Sequence, residues 1–204
     1  MQEAVWTAVG LSRDLERGAA TGVMVDGQEW ALWRGVSGRA HLWEDRCPHR
    51  GMRLSFGFVR GDHIACLYHG WQFDTGGQCR YIPAHPDLDV PQTIKVPTYR
   101  AAETLGIVWA TRDPDAALPD IAVAADLVGL RSLSVDCSLD TVLAGLEARG
   151  YIDVAGNVGT IAVGGTPLLV ALQAVGPQAT ALHISVPGTT VAATSKRLAR
   201  WAEE

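Results

Sequence analysis

The sequence predicts a mainly β chain in two parts: an all-β first half, residues 1–113, followed by a small α+β unit, residues 114–204. Three observations predict it. Short β-branched and aromatic runs punctuated by Gly, Pro and Asp fill the first half. Helical periodicity is hard to find before residue 113. After Arg112-Asp113-Pro114-Asp115 the composition turns from aromatic- and charge-rich to rich in Ala, Val, Leu and Gly, with Pro114 and Pro119 marking the boundary.

Residues 22 to 34 hold two strand-like runs around Asp26-Gly27, a dipeptide suited to a tight hairpin turn. Ala40 to Trp43, Ile64 to Leu67 and Gly106 to Ala110 read as further short strands. Beyond the boundary, Ser138 is placed to cap a helix in which Leu139, Val142, Leu143 and Leu146 share one face, and Gly150 is placed to end it. Tyr151 to Val154, Thr160 to Val163, Pro167 to Val175 and Ala179 to Val186 then read as strands turned by Gly164-Gly165 and Gly176-Pro177. A last helix is expected over 190–203. Val154 to Ser195 contains no charged residue, so both faces of this sheet are expected to be covered, one by helices and the other by a second subunit.

With 17 Lys and Arg against 22 Asp and Glu, the net charge of −5 argues against nucleic acid and against an anionic membrane surface. The uncharged stretch is broken every few positions by polar residues, Gly or Pro, so no membrane span is expected. Met1 to Gly10 lacks a basic segment leading into an apolar one, which points to a cytoplasmic protein without a secretory leader. There, four cysteines point to metal or catalysis before disulfides.

Cys47-Pro48-His49 is followed after 16 residues by Cys66-Leu67-Tyr68-His69, giving two Cys-plus-His pairs in neighbouring loops. Two thiolates and two imidazoles suit tetrahedral zinc as well as iron, so ligand type alone does not choose the metal. Each His follows its own Cys in a Gly- and aromatic-rich β context, however, which favours a cluster with two Cys on one iron and two His on the other.

Cys47-Pro48-His49-Arg50-Gly51, with Cys66-Leu67-Tyr68-His69-Gly70-Trp71-Gln72-Phe73-Asp74 and Gly77-Gln78-Cys79, resembles the Rieske domain of Rieske non-haem iron oxygenases. The resemblance runs from Trp6-Thr7-Ala8-Val9-Gly10 through Tyr81-Ile82-Pro83-Ala84 to Gly106-Ile107-Val108-Trp109, in the style of vanillate demethylases. It implies one [2Fe–2S] cluster per chain, ligated by Cys47, His49, Cys66 and His69, with Tyr68, Trp71 and Met52 packed around it. Respiratory Rieske proteins would carry a loop-bridging disulfide at the positions of Met52 and Tyr68 and a serine at Trp71. Their absence implies a potential at the low end of the Rieske range. Arg46, Arg50 and Arg53, with Arg60 and Arg80, sit around the two loops and are expected to guide an acidic NAD(P)H-dependent reductase. Cys79 and Cys137 read as ordinary thiols.

A full oxygenase of that family adds a helix-grip domain holding a mononuclear iron through two His and a carboxylate. The six histidines here are 41, 49, 63, 69, 85 and 183, so the second unit offers only His183, which reads as a hydrogen-bonded core residue. Arg131-Ser132-Leu133, Leu168 to Gln173 and Ala181-Leu182-His183 resemble the outer elements of a reduced helix-grip domain. No mononuclear iron is therefore expected on this chain. The resemblance implies an electron-transfer subunit of a hydroxylase or demethylase system, with a catalytic oxygenase chain as partner. A free-standing Rieske ferredoxin, a self-sufficient oxygenase with an atypical iron site, and a redox-sensing or structural subunit stand as alternatives.

Overall fold

The structure is a computed structural model that describes residues 6–25, 27–117, 120–121, 123, 126–188 and 194. Its strands are β1 (Thr7–Leu11), β2 (Ala20–Val25), β3 (Gln28–Arg34), β4 (Ala40–Glu44), β5 (Phe58–Arg60), β6 (His63–Ala65), β7 (Gln72–Asp74), β8 (Cys79–Tyr81), β9 (Thr98–Thr104) and β10 (Ile107–Thr111). After them come β11 (Leu127–Val135), the helix α1 (Leu139–Glu147), β12 (Ile152–Asp153), β13 (Val158–Val163), β14 (Thr166–Gly176) and β15 (Ala179–Pro187). The chain is mostly β with a small α+β part, as the sequence predicts. Two compact units emerge, one built from Asp14–Ala102 and Ala110–Ala116, the other from Trp6–Arg13, Glu103–Trp109 and the chain from Ala117 onward. Ala116 and Ala117 fall in different units, and two earlier segments, Trp6–Arg13 and Glu103–Trp109, join the second.

In the first unit, β2 and β3 pair antiparallel with Val25 opposite Gln28, and β4 lies against β3. Asp26 of the expected turn lies outside the described residues, but Gly27 has the positive φ of 72° that such a turn needs. A second sheet runs β5-β6-β7-β8, all short antiparallel neighbours. Trp33, Trp43, Leu54, Ile64, Phe73 and Val96 form the buried core shared by these sheets, and Cys47 and Cys66 belong to it.

In the second unit the sheet order is β11-β15-β14-β13-β12. Ser138 caps α1 by accepting a hydrogen bond at Oγ from the Thr141 N–H at 3.3 Å. Leu139, Val142, Leu143 and Leu146 of α1 pack on Leu168, Val170, Leu172, Leu182 and Ile184, one face of β14 and β15. The opposite face presents Val158, Leu169 and Ala171, which pack on Ala8, Leu11, Ile107 and Trp109. Correcting the expected subunit interface, the uncharged stretch is covered on this face by the chain's own early segments. The expected helix 190–203 lies outside the described residues, as does Pro119. No helix among the described residues is long and apolar enough to cross a membrane.

Tyr151 closes the α1 side, 6% exposed, against Gly159. A Cβ at Gly159 would lie 2.3 Å from the Tyr151 ring and 2.4 Å from the Ile152 carbonyl oxygen. Gly159→Ala is therefore expected to cost about 1–3 kcal/mol of stability through overpacking. Urea unfolding followed by far-UV circular dichroism checks it; an unchanged midpoint would show that the edge of the sheet yields freely.

Candidate metal centre

Two loops form the site. The first follows β4 and runs through Cys47 to Met52; the second is the turn between β6 and β7, Cys66 to Trp71. They share one backbone frame. Cys47 N–H donates to the Met52 carbonyl at 2.8 Å and Gly51 N–H to the Cys47 carbonyl at 2.8 Å; Cys66 N–H donates to the Trp71 carbonyl at 2.9 Å and Gly70 N–H to the Cys66 carbonyl at 3.0 Å. The glycine four residues after each Cys has φ of 73° or 70°, a conformation that costs a side-chain-bearing residue. At Gly70 a Cβ would also press to 3.0 Å from Pro83, which ties the Tyr81-Ile82-Pro83-Ala84 stretch to the second loop. These matching turns could have been anticipated from the equal spacing Cys47…Gly51 and Cys66…Gly70.

The first loop is anchored from below. Asp45, buried, accepts hydrogen bonds from the Ser55 N–H at 2.7 Å and the Ser55 hydroxyl at 2.6 Å, so both carboxylate oxygens are used. Gln78, also buried, donates from Nε2 to the carbonyls of Cys79, Pro91 and Ile94, fastening the segment after β8. Neither residue carries a sequence signal beyond its position next to a motif.

The frame brings the four expected ligands together as two pairs. The Cys47 and Cys66 thiols are buried and within hydrogen-bond reach of each other. Burial, with the second sulfur beside it, pushes the Cys47 thiol up, while the backbone N–H groups of His49 and Arg50 point at its sulfur and pull it down. The imidazoles of His49 and His69 stand 4.6 Å apart between ring centroids, with His69 exposed. Burial, and then the charges of His69 and Arg50, lower the His49 pKa, so its ring is available as a neutral ligand. A thiol pair inside and an imidazole pair outside suit a two-iron group better than one zinc ion.

Trp71 lies flat on the His49 ring, 4.3 Å between centroids with an interplanar angle of 3°. Tyr68 leans on His69 at 3.8 Å but is itself 58% exposed, so it flanks that ring without sealing it from water. Met52 is half-buried against the core. Of the arginines, Arg53 is ion-paired with Glu29 and sits over Phe56, and Arg80 is paired with Asp74 at 2.6 Å. Arg46 and Arg53 line a recess of about 510 Å3 beside the first loop together with Glu29, Glu44 and Asp45. Arg50 is exposed beside His49. Cys79 is buried with its thiol toward the Tyr81 carbonyl, and Cys137 is half-buried.

One Cys and His pair on the turn between β6 and β7, with a matching pair on the loop after β4, defines a Rieske-class iron–sulfur domain. Residues 5–100 match the model of the Rieske [2Fe-2S] domain, so this half of the chain is a Rieske domain. The domain implies a [2Fe–2S] cluster. The chain is 36% identical over 160 residues to the oxidoreductase NdmD of Pseudomonas putida, covering 74% of this chain and 27% of that protein. It is 35% identical over 159 residues to the oxygenase component of chloroacetanilide N-alkylformylase from Rhizorhabdus wittichii, covering 73% and 45%. The chain therefore spans less than half the length of either relative. Its fold is similar to apo dicamba monooxygenase, with a TM-score of 0.74 at 20% identity over 98% of this chain and 81% of that one. NdmA of Pseudomonas putida CBB5 superposes with a TM-score of 0.72 at 18% identity, over 89% and 72%.

His183 lies outside this site. It is 4% exposed on β15, its Nδ1 2.9 Å from the Ser132 hydroxyl and its Nε2 3.3 Å from Gln173 Oε1. Gln173 Oε1 only accepts, so Nε2 carries the hydrogen and Nδ1 accepts from Ser132. Burial holds its pKa at about 4, below the ordinary 6.5. As pH falls the unfolded chain takes up the proton first; the stability contributed by the neutral ring is whole above pH 6.5 and is lost as pH falls toward 4. Between those limits wild type is expected to lose on the order of 3 kcal/mol that His183→Gln does not lose. Denaturant midpoints of both proteins at the two pH values test this, and parallel losses would sink it.

Proposed function

We propose that this chain is the Rieske electron-transfer subunit of a non-haem iron oxygenase system. It takes electrons singly from an NAD(P)H-dependent reductase and passes them to a mononuclear iron on a partner chain that hydroxylates or demethylates its substrate. The observation that carries this reading is the pair of matching loops, Cys47 to Met52 and Cys66 to Trp71, which sets two buried thiols side by side and two imidazoles 4.6 Å apart.

In this reading Cys47 and Cys66 hold the cluster from the buried side and His49 and His69 from the exposed side. When bound, the cluster supplies a one-electron carrier whose potential His ligation raises above that of an all-Cys cluster. The chain's own residues set the rest. The N–H groups of His49 and Arg50 steady the Cys47 sulfur, and Trp71, standing where a serine would donate to a sulfur, leaves the potential at the low end of the Rieske range. Exposed His69, flanked by Leu67 and Tyr68, offers the contact edge for electron exchange. Arg50, with Arg46, is the remaining positive group for an acidic reductase, because Arg53 is neutralised by Glu29. Four free thiols fit a reducing cytoplasm, to which we assign it.

Expression with the neighbouring genes tests the assignment. About two irons and two sulfides per chain are expected, with uptake of about one electron and co-purification of a longer chain. Replacing both His49 and His69 with Ala is expected to abolish the visible absorption and electron-paramagnetic signals while α1 and its sheet stay folded. Substrate turnover by this chain and a reductase alone would overturn the partner-iron assignment; intact signals in the double variant would overturn the ligand assignment.

A further inference from the structure

The two cluster loops are equivalent in backbone and unequal in what their last residue does. Met52 and Trp71 occupy the same position, five residues after the Cys, each accepting that Cys N–H at its carbonyl. Both side chains touch the core. Trp71 in addition reaches the other loop and lies flat on the His49 ring, 4.3 Å away and 3° from parallel. Among the described residues no ring lies flat on His69: across the loops it meets the His49 ring edge-on at 4.6 Å, and Tyr68 of its own loop, itself mostly exposed, leans on it. No disulfide joins the loops, since all four cysteines are free.

We propose that Trp71 is a positioning residue that braces the two loops without a covalent bond: by stacking on His49 it holds that imidazole in ligating orientation and slows release of the cluster. This rests on the ligand assignment given above. A ring stacked face to face removes the rotamers in which His49 would swing outward, whereas the side chains of Pro48 and Arg50 on either side are exposed. The two imidazoles are therefore held unequally. His49 is clamped and His69 is accessible, so loss of the cluster begins at His69 in the native protein and at both rings once the stack is gone.

The test compares Trp71→Met and Trp71→Phe with wild type in the full chain, reading bleaching of the cluster absorption under excess ferrous chelator and the electron-paramagnetic g-values of the reduced protein. Trp71→Met fills most of the volume without a ring, and Trp71→Phe keeps a stackable ring. Expected are bleaching about 3- to 10-fold faster in Trp71→Met with shifted g-values, and rates within about 2-fold of wild type in Trp71→Phe. Equal bleaching of Trp71→Met and wild type overturns the proposal. So does Trp71→Phe bleaching as fast as Trp71→Met, because volume and not stacking would then govern; should Trp71→Met fail to load a cluster, Trp71→Phe against wild type decides on the same criterion. A wild-type protein without the Rieske signal would instead overturn the ligand assignment, which separates the two failures.

Discussion

Two thiols buried side by side are the constraint from which the first unit is built. Burial pushes the Cys47 thiol toward its protonated form, with the Cys66 sulfur beside it. A metal group resolves this, but only if the backbone delivers both sulfurs to one place before it arrives. Hence the repeated turn, in which a left-handed glycine lets the chain reverse tightly enough for its own Cys to bind both ends of it. Hence also the fastening of each turn from outside, by Asp45 on Ser55 for the first and by Pro83 against Gly70 for the second. Rigidity here is not incidental, because a donor set a fraction of an ångström loose binds and tunes a metal poorly.

The part of this organisation that was legible in the sequence is the part written in local patterns. Asp26-Gly27 marks a hairpin, Ser138 and Gly150 bracket α1, and the Cys and His spacings mark the loops, because turns, caps and ligand pairs depend on neighbours a few residues away. Strands such as β5, β7 and β8, three residues each, are too short to show a period. The half-polar β11 carries Arg131, Ser132 and Ser134 among its apolar residues and gives no clear alternation. The stack of Trp71 on His49 and the pairing of Arg53 with Glu29 join residues 22 and 24 positions apart, and no local rule reports them. The arginine cluster looked like one positive rim in sequence; in three dimensions two of its members are already committed to carboxylates.

The second unit is a different kind of object. Its polar row, Ser132, His183 and Gln173 across β11, β15 and β14, is satisfied internally, which keeps a buried histidine neutral and explains why it reads as core. Its long uncharged stretch follows from burial on both faces of the sheet, under α1 on one side and under Ala8, Leu11, Ile107 and Trp109 on the other.

That last arrangement bears on how the polypeptide matures. The strand Thr7–Leu11 leaves the ribosome ahead of the residues that bury its Ala8 and Leu11, because Val158, Leu169 and Ala171 follow some 150 positions later. During synthesis that strand must wait, apolar side chains bared, while the first unit is made in between. Such a long-range closure slows collapse of the second core and leaves the nascent chain open to sticking until β13 and β14 are made.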